Sequence, residues 1–276
     1  MPATRSLCAA LLGLAACVGA GGAVAESAAE SAAENAVHLV HGTPAGHAFA
    51  DYYENIDPVA AYPAGAYLGL RCAPDCALVE DQVRVLRQTV DTTDGPAPGF
   101  VVKSAGRSLF LVRGIPGLKK GPVRTWYVNK RFRFPDDERG PDRPWTASQT
   151  RSFDIDGMPL SMTGAFSVTK DPECEPVAQC SDVLRVAWEY RLGDVKRTLA
   201  VVTTNAPELG MPLPIEDFVV WIGDLDGDGK PDLVVRPQDR SDYLEMQLFL
   251  SSELAAGQPW RPAAKFYFWD PRNSGC

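Results

Sequence analysis

The sequence predicts a mostly β fold, an antiparallel sandwich, barrel or propeller-like sheet assembly with little helix. Two observations carry this prediction. From Val37 onward, short runs with an apolar residue at every second position recur, and clusters of Gly and Pro separate them. No long stretch shows the 3.6-residue apolar period of an amphipathic helix. Many short strands with turns between them are typical of all-β domains.

The predicted strands cover most of the chain after its first third. They are expected at 66–71, 82–90, 99–104, 108–114, 123–134, 160–168, 217–223, 232–236, 244–252 and 265–269. The aromatic run FADYYENI, residues 49–56, predicts one short helix. The Asp-Gly pairs in DTTDGPAPGF and FDIDGMPL predict hairpin turns, since Asp-Gly tolerates the positive φ of tight turns. Degenerate propeller blades are the alternative interpretation of these recurring stretches.

The clearest hairpin is LRVAWEYRLGDVKRTLAVV, in which apolar and polar residues alternate on both sides of a Gly-Asp pair. A two-residue turn with Gly193 first suits type II′. That turn fixes the register of the two strands. It sets Trp188 opposite Leu199, and Val186 opposite Val201, on one buried face.

The N-terminal 25 residues predict a secretory signal peptide, because Arg5 precedes an apolar run and Ala23-Val24-Ala25 fits a small-x-small cleavage site. A lipoprotein signal over 1–16 is the alternative. Leu14-Ala15-Ala16-Cys17 resembles a lipobox, whose cysteine would be lipidated and become the first residue. Either interpretation predicts an exported protein, whether periplasmic, anchored to the outer membrane or secreted.

Residues 26–36 predict a low-complexity tether, and residues 37–276 a single large β-rich domain. Cleavage after residue 25 leaves 276 − 25 = 251 residues, enough to bury a sizeable core. The formal charge of −8 disfavours nucleic acid as a partner, because phosphate binding rewards clustered Lys and Arg. It disfavours anionic membranes as well, so membrane contact is expected only through a lipid anchor.

The cysteines of the mature chain predict local disulfides, since export implies an oxidising compartment. Cys72 pairs with Cys76 and Cys174 with Cys180 in this interpretation, each closing a short loop that contains proline. A metal site built from both pairs is the alternative, although the spacing is unusual for zinc. Cys276 is then left over, either free or paired in another scheme.

All three histidines lie in VHLVHGTPAGH, as His38, His41 and His47. A metal or catalytic cluster is one interpretation, and a partly exposed leader into the domain is the favoured one. Any Ser-His or Cys-His catalysis would have to use these side chains. The sequence has no G-x-S-x-G, phosphate-loop or H-E-x-x-H motif, and no catalytic residue is predicted.

The stretch GDLDGDGKPDLVV places four aspartates within nine residues, between two apolar runs. Carboxylates that lie so close together repel one another unless a cation neutralises them. Asp224, Asp226 and Asp228 occupy loop positions 1, 3 and 5, with the Lys230 carbonyl at position 7 and Asp232 at position 9. Oxygen ligands at this spacing suit Ca²⁺ better than Mg²⁺, zinc or copper. An unliganded acidic turn is the alternative.

The loop is not an EF-hand, because Val235 stands at position 12 and both flanks are predicted strands. Residues 222–236 instead resemble the calcium loop of FG-GAP/VCBS-type repeats, found in integrin-like propellers and bacterial surface proteins. The resemblance implies that Asp224, Asp226, Asp228 and Asp232 are side-chain ligands, with the Lys230 carbonyl. It covers a single copy, whereas propellers of this type need several, so a full propeller is not implied.

Two functions are indicated by these patterns. The favoured one is a binding or structural protein of the cell envelope, stabilised by calcium and disulfides, with an envelope protein or a glycan as partner. The alternative is a secreted calcium-dependent hydrolase that acts on a glycan or another envelope polymer, with carboxylates brought together from separate parts of the chain.

Overall fold

The computed structural model describes residues 36–50, 58–129, 148–170, 182–199, 202–205, 218–237, 243–254 and 258–269. The described residues from Val37 onward belong to one compact unit. Several predictions fall outside the described residues: the signal peptide, nearly all of the tether, Cys17, Cys174, Cys180 and Cys276.

The N-terminal sheet consists of the first seven strands. They are β1 (His38–His41), β2 (His47–Ala50), β3 (Gly65–Cys72), β4 (Cys76–Thr92), β5 (Gly95–Ser104), β6 (Phe110–Arg113) and β7 (Gly121–Pro122). The strand order is β1, β6, β3, β4, β5, β2, with β7 paired to the start of β4. A short helix, α1 (Pro58–Ala61), lies between β2 and β3. This sheet therefore begins and ends with strands that are neighbours in the chain.

The next strands form parts of two other sheets. They are β8 (Thr125–Val128), β9 (Ser148–Ile155), β10 (Met158–Lys170), β11 (Asp182–Leu192), β12 (Val195–Thr198) and β13 (Val202–Asn205). Strands β9 to β13 form the hairpin sheet, in the order β12, β11, β10, β9, with β13 also paired to β11.

The middle sheet contains β8 and the last four strands of the chain. These are β14 (Val219–Gly223), β15 (Asp232–Val235), β16 (Tyr243–Phe249) and β17 (Ala264–Trp269). The order is β17, β16, β15, β14, β8. One turn of 3-10 helix (Ser251–Glu253) follows β16.

Each face of the middle sheet packs into a separate hydrophobic core. Trp221, Val234 and Phe266 join one core with residues of the N-terminal sheet. Ile222 and Leu233 join the other with Trp188 and its neighbours in the hairpin sheet. Strands buried on both faces have continuous apolar sequences, which accounts for VVWI and LVV.

The predicted fold class is confirmed: the strand pairs are antiparallel, and one sheet is curled into a half-barrel. The hairpin prediction is confirmed for Trp188, whose carbonyl accepts a hydrogen bond from the N–H of Leu199. Gly193 has a φ of 55°, as the predicted turn requires. The pairing of Val186 with Val201 is wrong, because the register slips by one residue after Leu199 and sets Val202 opposite Val186.

The predicted helix at 49–56 is wrong at its start, where Phe49 and Ala50 are part of β2. Phe49 pairs with Phe100 on β5, and its ring packs against Tyr62 and Phe268 in the core. Core packing of this aromatic ring decides the conformation, and local propensity does not. Residues 51–56 lie outside the described part of the chain.

No helix in the described part of the chain is long and apolar enough to span a membrane.

Candidate metal centre

The aspartate loop connects two adjacent core strands, β14 and β15, at one end of the middle sheet. Gly223 and Asp232 are paired at the mouth of the loop. Within it, Gly227 and Gly229 have φ values of 80° and 81°. Side chains with a Cβ rarely adopt this left-handed backbone, so the two glycines let the chain coil back on itself over a short distance.

Asp232 anchors the loop from inside the protein, because its residue surface is 0% exposed. One carboxylate oxygen accepts a hydrogen bond of 2.7 Å from the backbone N–H of Leu225. The other accepts one of 2.7 Å from the backbone N–H of Ser251. A buried carboxylate needs such donors, since an unpaired buried charge is very costly.

Two further carboxylates converge on Asp232. Oxygens of Asp224, Asp226 and Asp232 all lie within 4.8 Å of one another. The backbone of the loop holds the Asp224 carboxylate in place. Its two oxygens accept hydrogen bonds from the N–H groups of Gly227 at 2.8 Å and Gly229 at 3.0 Å. The backbone thus fixes the directions in which these carboxylates point.

Asp228 and Lys230, the remaining predicted ligands, lie at the exposed side of the loop. Oδ1 of Asp228 accepts hydrogen bonds from the Lys230 N–H at 2.8 Å and the Ser251 hydroxyl at 2.9 Å. The Lys230 ammonium lies 3.6 Å from the second oxygen of Asp228. Asp228 is therefore not one of the three carboxylates that the structure brings together.

The turn of 3-10 helix after β16 supplies two polar residues that sequence reasoning missed, Ser251 and Ser252. The Ser252 hydroxyl donates a short hydrogen bond to Asp226, and the Ser251 hydroxyl donates to Asp228. No local pattern connects a Ser-Ser pair with aspartates more than twenty residues earlier. Only the pairing of β15 with β16 places them side by side.

The electrostatics of the loop disfavour the ionised form of Asp232 in the absence of a cation. Burial raises the pKa of Asp232, and the negative charge of Asp226 contributes, so that the pKa is about 7 despite the hydrogen bonds from the N–H groups of Ser251 and Leu225. A bound cation would favour the ionised form of Asp232. The donor set consists of carboxylate oxygens, which suits a hard cation such as Ca²⁺.

The histidines do not form the predicted leader. His41 and His47 are 8% and 1% exposed, within two strands of the N-terminal sheet. Their rings pack into the core beside Phe266, so the prediction of a partly exposed segment is wrong for these two residues. His38 is half-buried, and its Nδ1 lies 3.3 Å from the Ala61 carbonyl.

Cys72 and Cys76 form a disulfide in the structure, at the tip of the hairpin that joins β3 to β4. The two cysteines are also paired with each other in the register of this hairpin, so the disulfide links the two strands where they end. The pair lies in the N-terminal sheet, away from the aspartate loop in the chain. This disulfide agrees with the predicted local pairing.

A second buried carboxylate, Asp81 on β4, is surrounded by hydrogen-bond donors. It accepts hydrogen bonds from the backbone N–H groups of Gln82 and Gly106 and from the Ser108 hydroxyl, and it pairs with Arg71 at 3.3 Å. Burial alone would raise the pKa of Asp81, but these donors together hold it below its usual value. A carboxylate held so firmly ionised is a poor proton carrier.

No model of a known protein family matches the chain, and neither a curated protein nor a solved structure matches it.

Proposed function

We propose that this is an exported protein of the cell envelope in which the loop from Asp224 to Asp232 binds Ca²⁺. The ion would be structural, and the protein would act by binding an envelope protein or a glycan. Three carboxylates within 4.8 Å of one another, one of them fully buried, are the observation that supports the calcium site.

The position of the loop favours a structural role for the ion. The loop joins two strands of the middle sheet that are buried on both faces, and Asp232 is itself the first residue of β15. A cation shared by Asp224, Asp226 and Asp232 would fix the end of that sheet. The Asp228 carboxylate and the Lys230 carbonyl would complete the ligand set after small movements at the exposed side of the loop.

Calcium titration of the purified protein tests the site directly. Calorimetry would measure the affinity, and thermal unfolding would be followed with and without Ca²⁺. A ligand that binds only the folded state at about 100 times its Kd adds about 2.7 kcal/mol of stability. For a domain of this size the melting temperature is then expected to rise by roughly 5–10 °C.

The matched variants are Asp226→Ala/Asp228→Ala in the loop and Asp194→Asn in a remote turn. Asp194 is an exposed aspartate that follows a turn glycine. We expect calcium to stabilise the wild type and the Asp194→Asn variant but not the loop variant. No heat of binding and no shift for the wild type would mean that the loop is only an acidic turn.

The proposed export has a separate test. Intact-mass measurement of the protein recovered from the envelope of the producing cell would find an N-terminus at Glu26, or a lipid-modified Cys17. Recovery of the uncleaved chain from the cytoplasm would contradict the proposed export, independently of what the loop binds.

A further inference from the structure

The two edges of the N-terminal sheet meet at a pair of histidines. His41 is the last residue of β1 and His47 is the first residue of β2, and these strands form the opposite ends of the sheet. Nδ1 of His41 lies 3.1 Å from Nε2 of His47. A side-chain hydrogen bond therefore joins the two edge strands of the sheet.

Strand β17 of the middle sheet covers this junction, and it approaches both β1 and β2. The ring centre of His47 lies 4.4 Å from that of Phe268 and 5.1 Å from that of Phe266. The His41 ring lies 6.5 Å from Phe266. We call the contact between β1, β2 and β17 the seam.

The side chain of Arg236, which follows β15 and is buried, acts on His41 with its positive charge. The neighbouring strands present apolar residues to the seam. His41 is paired with Phe110 on β6 and His47 with Val102 on β5, both in the core. The ionisable residues of these strands alternate with core residues and so lie on the other faces. Among the side chains that the structure describes, they are Lys103 and Arg113 in the N-terminal sheet, and Glu245, Lys265 and Tyr267 in the middle sheet.

We propose that the His41–His47 pair is an acid-sensitive latch, which holds the seam closed while both imidazoles are neutral and opens it when they are protonated. The inference depends on the seam alone and is independent of calcium binding.

The chemistry of the pair follows from its proton count. In the neutral pair, one ring donates its N–H to the lone pair of the other ring. A first added proton buries a positive charge among aromatic rings, where the positive charge of Arg236 also disfavours it. A second places N–H groups on both facing nitrogens, so the hydrogen bond between the rings is lost. Each step disfavours the closed seam.

Burial lowers the pKa of His41 to about 4, with a further contribution from the positive charge of Arg236. Burial also lowers the pKa of His47, with a contribution from His41. Because both folded-state pKa values lie below the ordinary 6.5, the closed state is favoured fully above about pH 6.5. The free-energy advantage of the closed state is lost progressively as the pH falls from about 6.5 toward 4.

Hydrogen exchange at pH 7 and pH 5, corrected for intrinsic rates and performed with EDTA, locates the opening. We expect the protection of β1, β2 and β17 to fall at least tenfold at the lower pH, while that of β10 and β11 is retained. An equal loss of protection in all three sheets would indicate general acid unfolding and would overturn the latch.

The matched variants are His47→Gln, which removes one titrating group of the pair but retains a hydrogen-bonding amide, and His38→Gln, which leaves the pair intact. In the latch, each histidine changes the opening constant by up to tenfold per pH unit. We expect His47→Gln to reduce the pH dependence of the opening constant by up to tenfold per pH unit, and His38→Gln to reduce it much less. Other titrating groups, including Asp232, contribute equally to the pH dependence of the variant and of the wild type. Their contributions therefore cancel when the two pH dependences are subtracted. Equal pH dependence in the wild type and His47→Gln would overturn the proposal.

The imidazole resonances of the wild type give a readout that needs no pair variant. The chain has three histidines, so His38→Gln identifies the resonance of His38 and leaves those of the pair. We expect the pair to stay neutral down to the pH at which β17 loses protection. Titration of both near pH 6.5 in a closed seam would contradict the latch.

Discussion

The backbone N–H of Ser251 donates a hydrogen bond of 2.7 Å to the carboxylate of Asp232, which is 19 residues earlier in the chain. This bond ties the mouth of the aspartate loop to the turn that follows β16. The other oxygen of the same carboxylate holds the Leu225 N–H. Asp232 therefore joins three segments of backbone.

Replacement of Asp232 by Asn is expected to destabilise the protein by about 2–4 kcal/mol without calcium. An amide has one acceptor oxygen, so its NH2 group would face one of the two backbone donors. Urea unfolding in EDTA measures the change, with Asp194→Asn as the control. A loss below about 0.5 kcal/mol would show that the loop does not depend on this carboxylate.

Gly164 on β10 lies directly beneath the indole of Trp188. A Cβ at this position would be 2.6 Å from the Trp188 ring, which itself stacks on Phe218 with ring centres 3.5 Å apart. Gly164→Ala is therefore expected to cost about 1–3 kcal/mol through overpacking. The urea midpoint measures it, and Ala165→Ser on the exposed side of the same strand is the control. An unchanged midpoint for Gly164→Ala would mean that the indole moves aside freely.

The disulfide between Cys72 and Cys76 closes a very short loop. In the chain-entropy model such a loop contributes about 2 kcal/mol. Cys72→Ser/Cys76→Ser is expected to lower the free energy of unfolding by about that amount. Reduction of the wild type with a thiol should produce the same loss, and the variant should then be insensitive to the thiol. A variant as stable as the oxidised wild type would contradict the stabilising role.

Asp81→Asn is expected to destabilise the protein by about 2–4 kcal/mol at pH 7, because the carboxylate is buried and accepts several hydrogen bonds. Arg71→Gln should cost less, about 1 kcal/mol, since 44% of the Arg71 side-chain surface is exposed. Urea unfolding at pH 7 gives both values. Equal losses would show that the ion pair dominates over the N–H and hydroxyl donors.

The Asp81 contribution also predicts a pH dependence. The pKa of Asp81 is lowered from its ordinary 3.8, so its contribution is present above that value and is lost as the pH falls through the lowered pKa. The stability difference between wild type and Asp81→Asn should therefore be constant from about pH 5 to 7 and shrink below about pH 4. A difference that shrinks already between pH 7 and 5 would contradict the assignment.

Sequence reasoning predicted features that depend on neighbouring residues. The turn at Gly193 fixes the register of the long hairpin at its tip. Asp156 and Gly157, with φ values of 54° and 83°, form the expected turn between β9 and β10. Such turns follow from backbone sterics within a few residues.

Features that depend on tertiary packing were missed or wrong. β1 and β2 are strands of four residues, too short for a periodic signal, and the burial of His41 and His47 follows from how β17 covers them. The bulge in β14 lets Val219 and Trp221 serve different cores, which simple alternation does not predict. At the candidate site, the four aspartates were visible in the sequence, but the role of Ser251 required the pairing of β15 with β16.

The middle sheet contributes residues to both hydrophobic cores. In the described part of the chain, the two outer sheets, which are the N-terminal sheet and the hairpin sheet, have no other apolar surface of similar extent to pack against. A fragment that lacks β14 to β17 would therefore leave both outer sheets exposed to water. We expect the domain to lose its structure in a single cooperative transition, with no stable half-molecule. Mild proteolysis should accordingly yield either intact domain or small peptides.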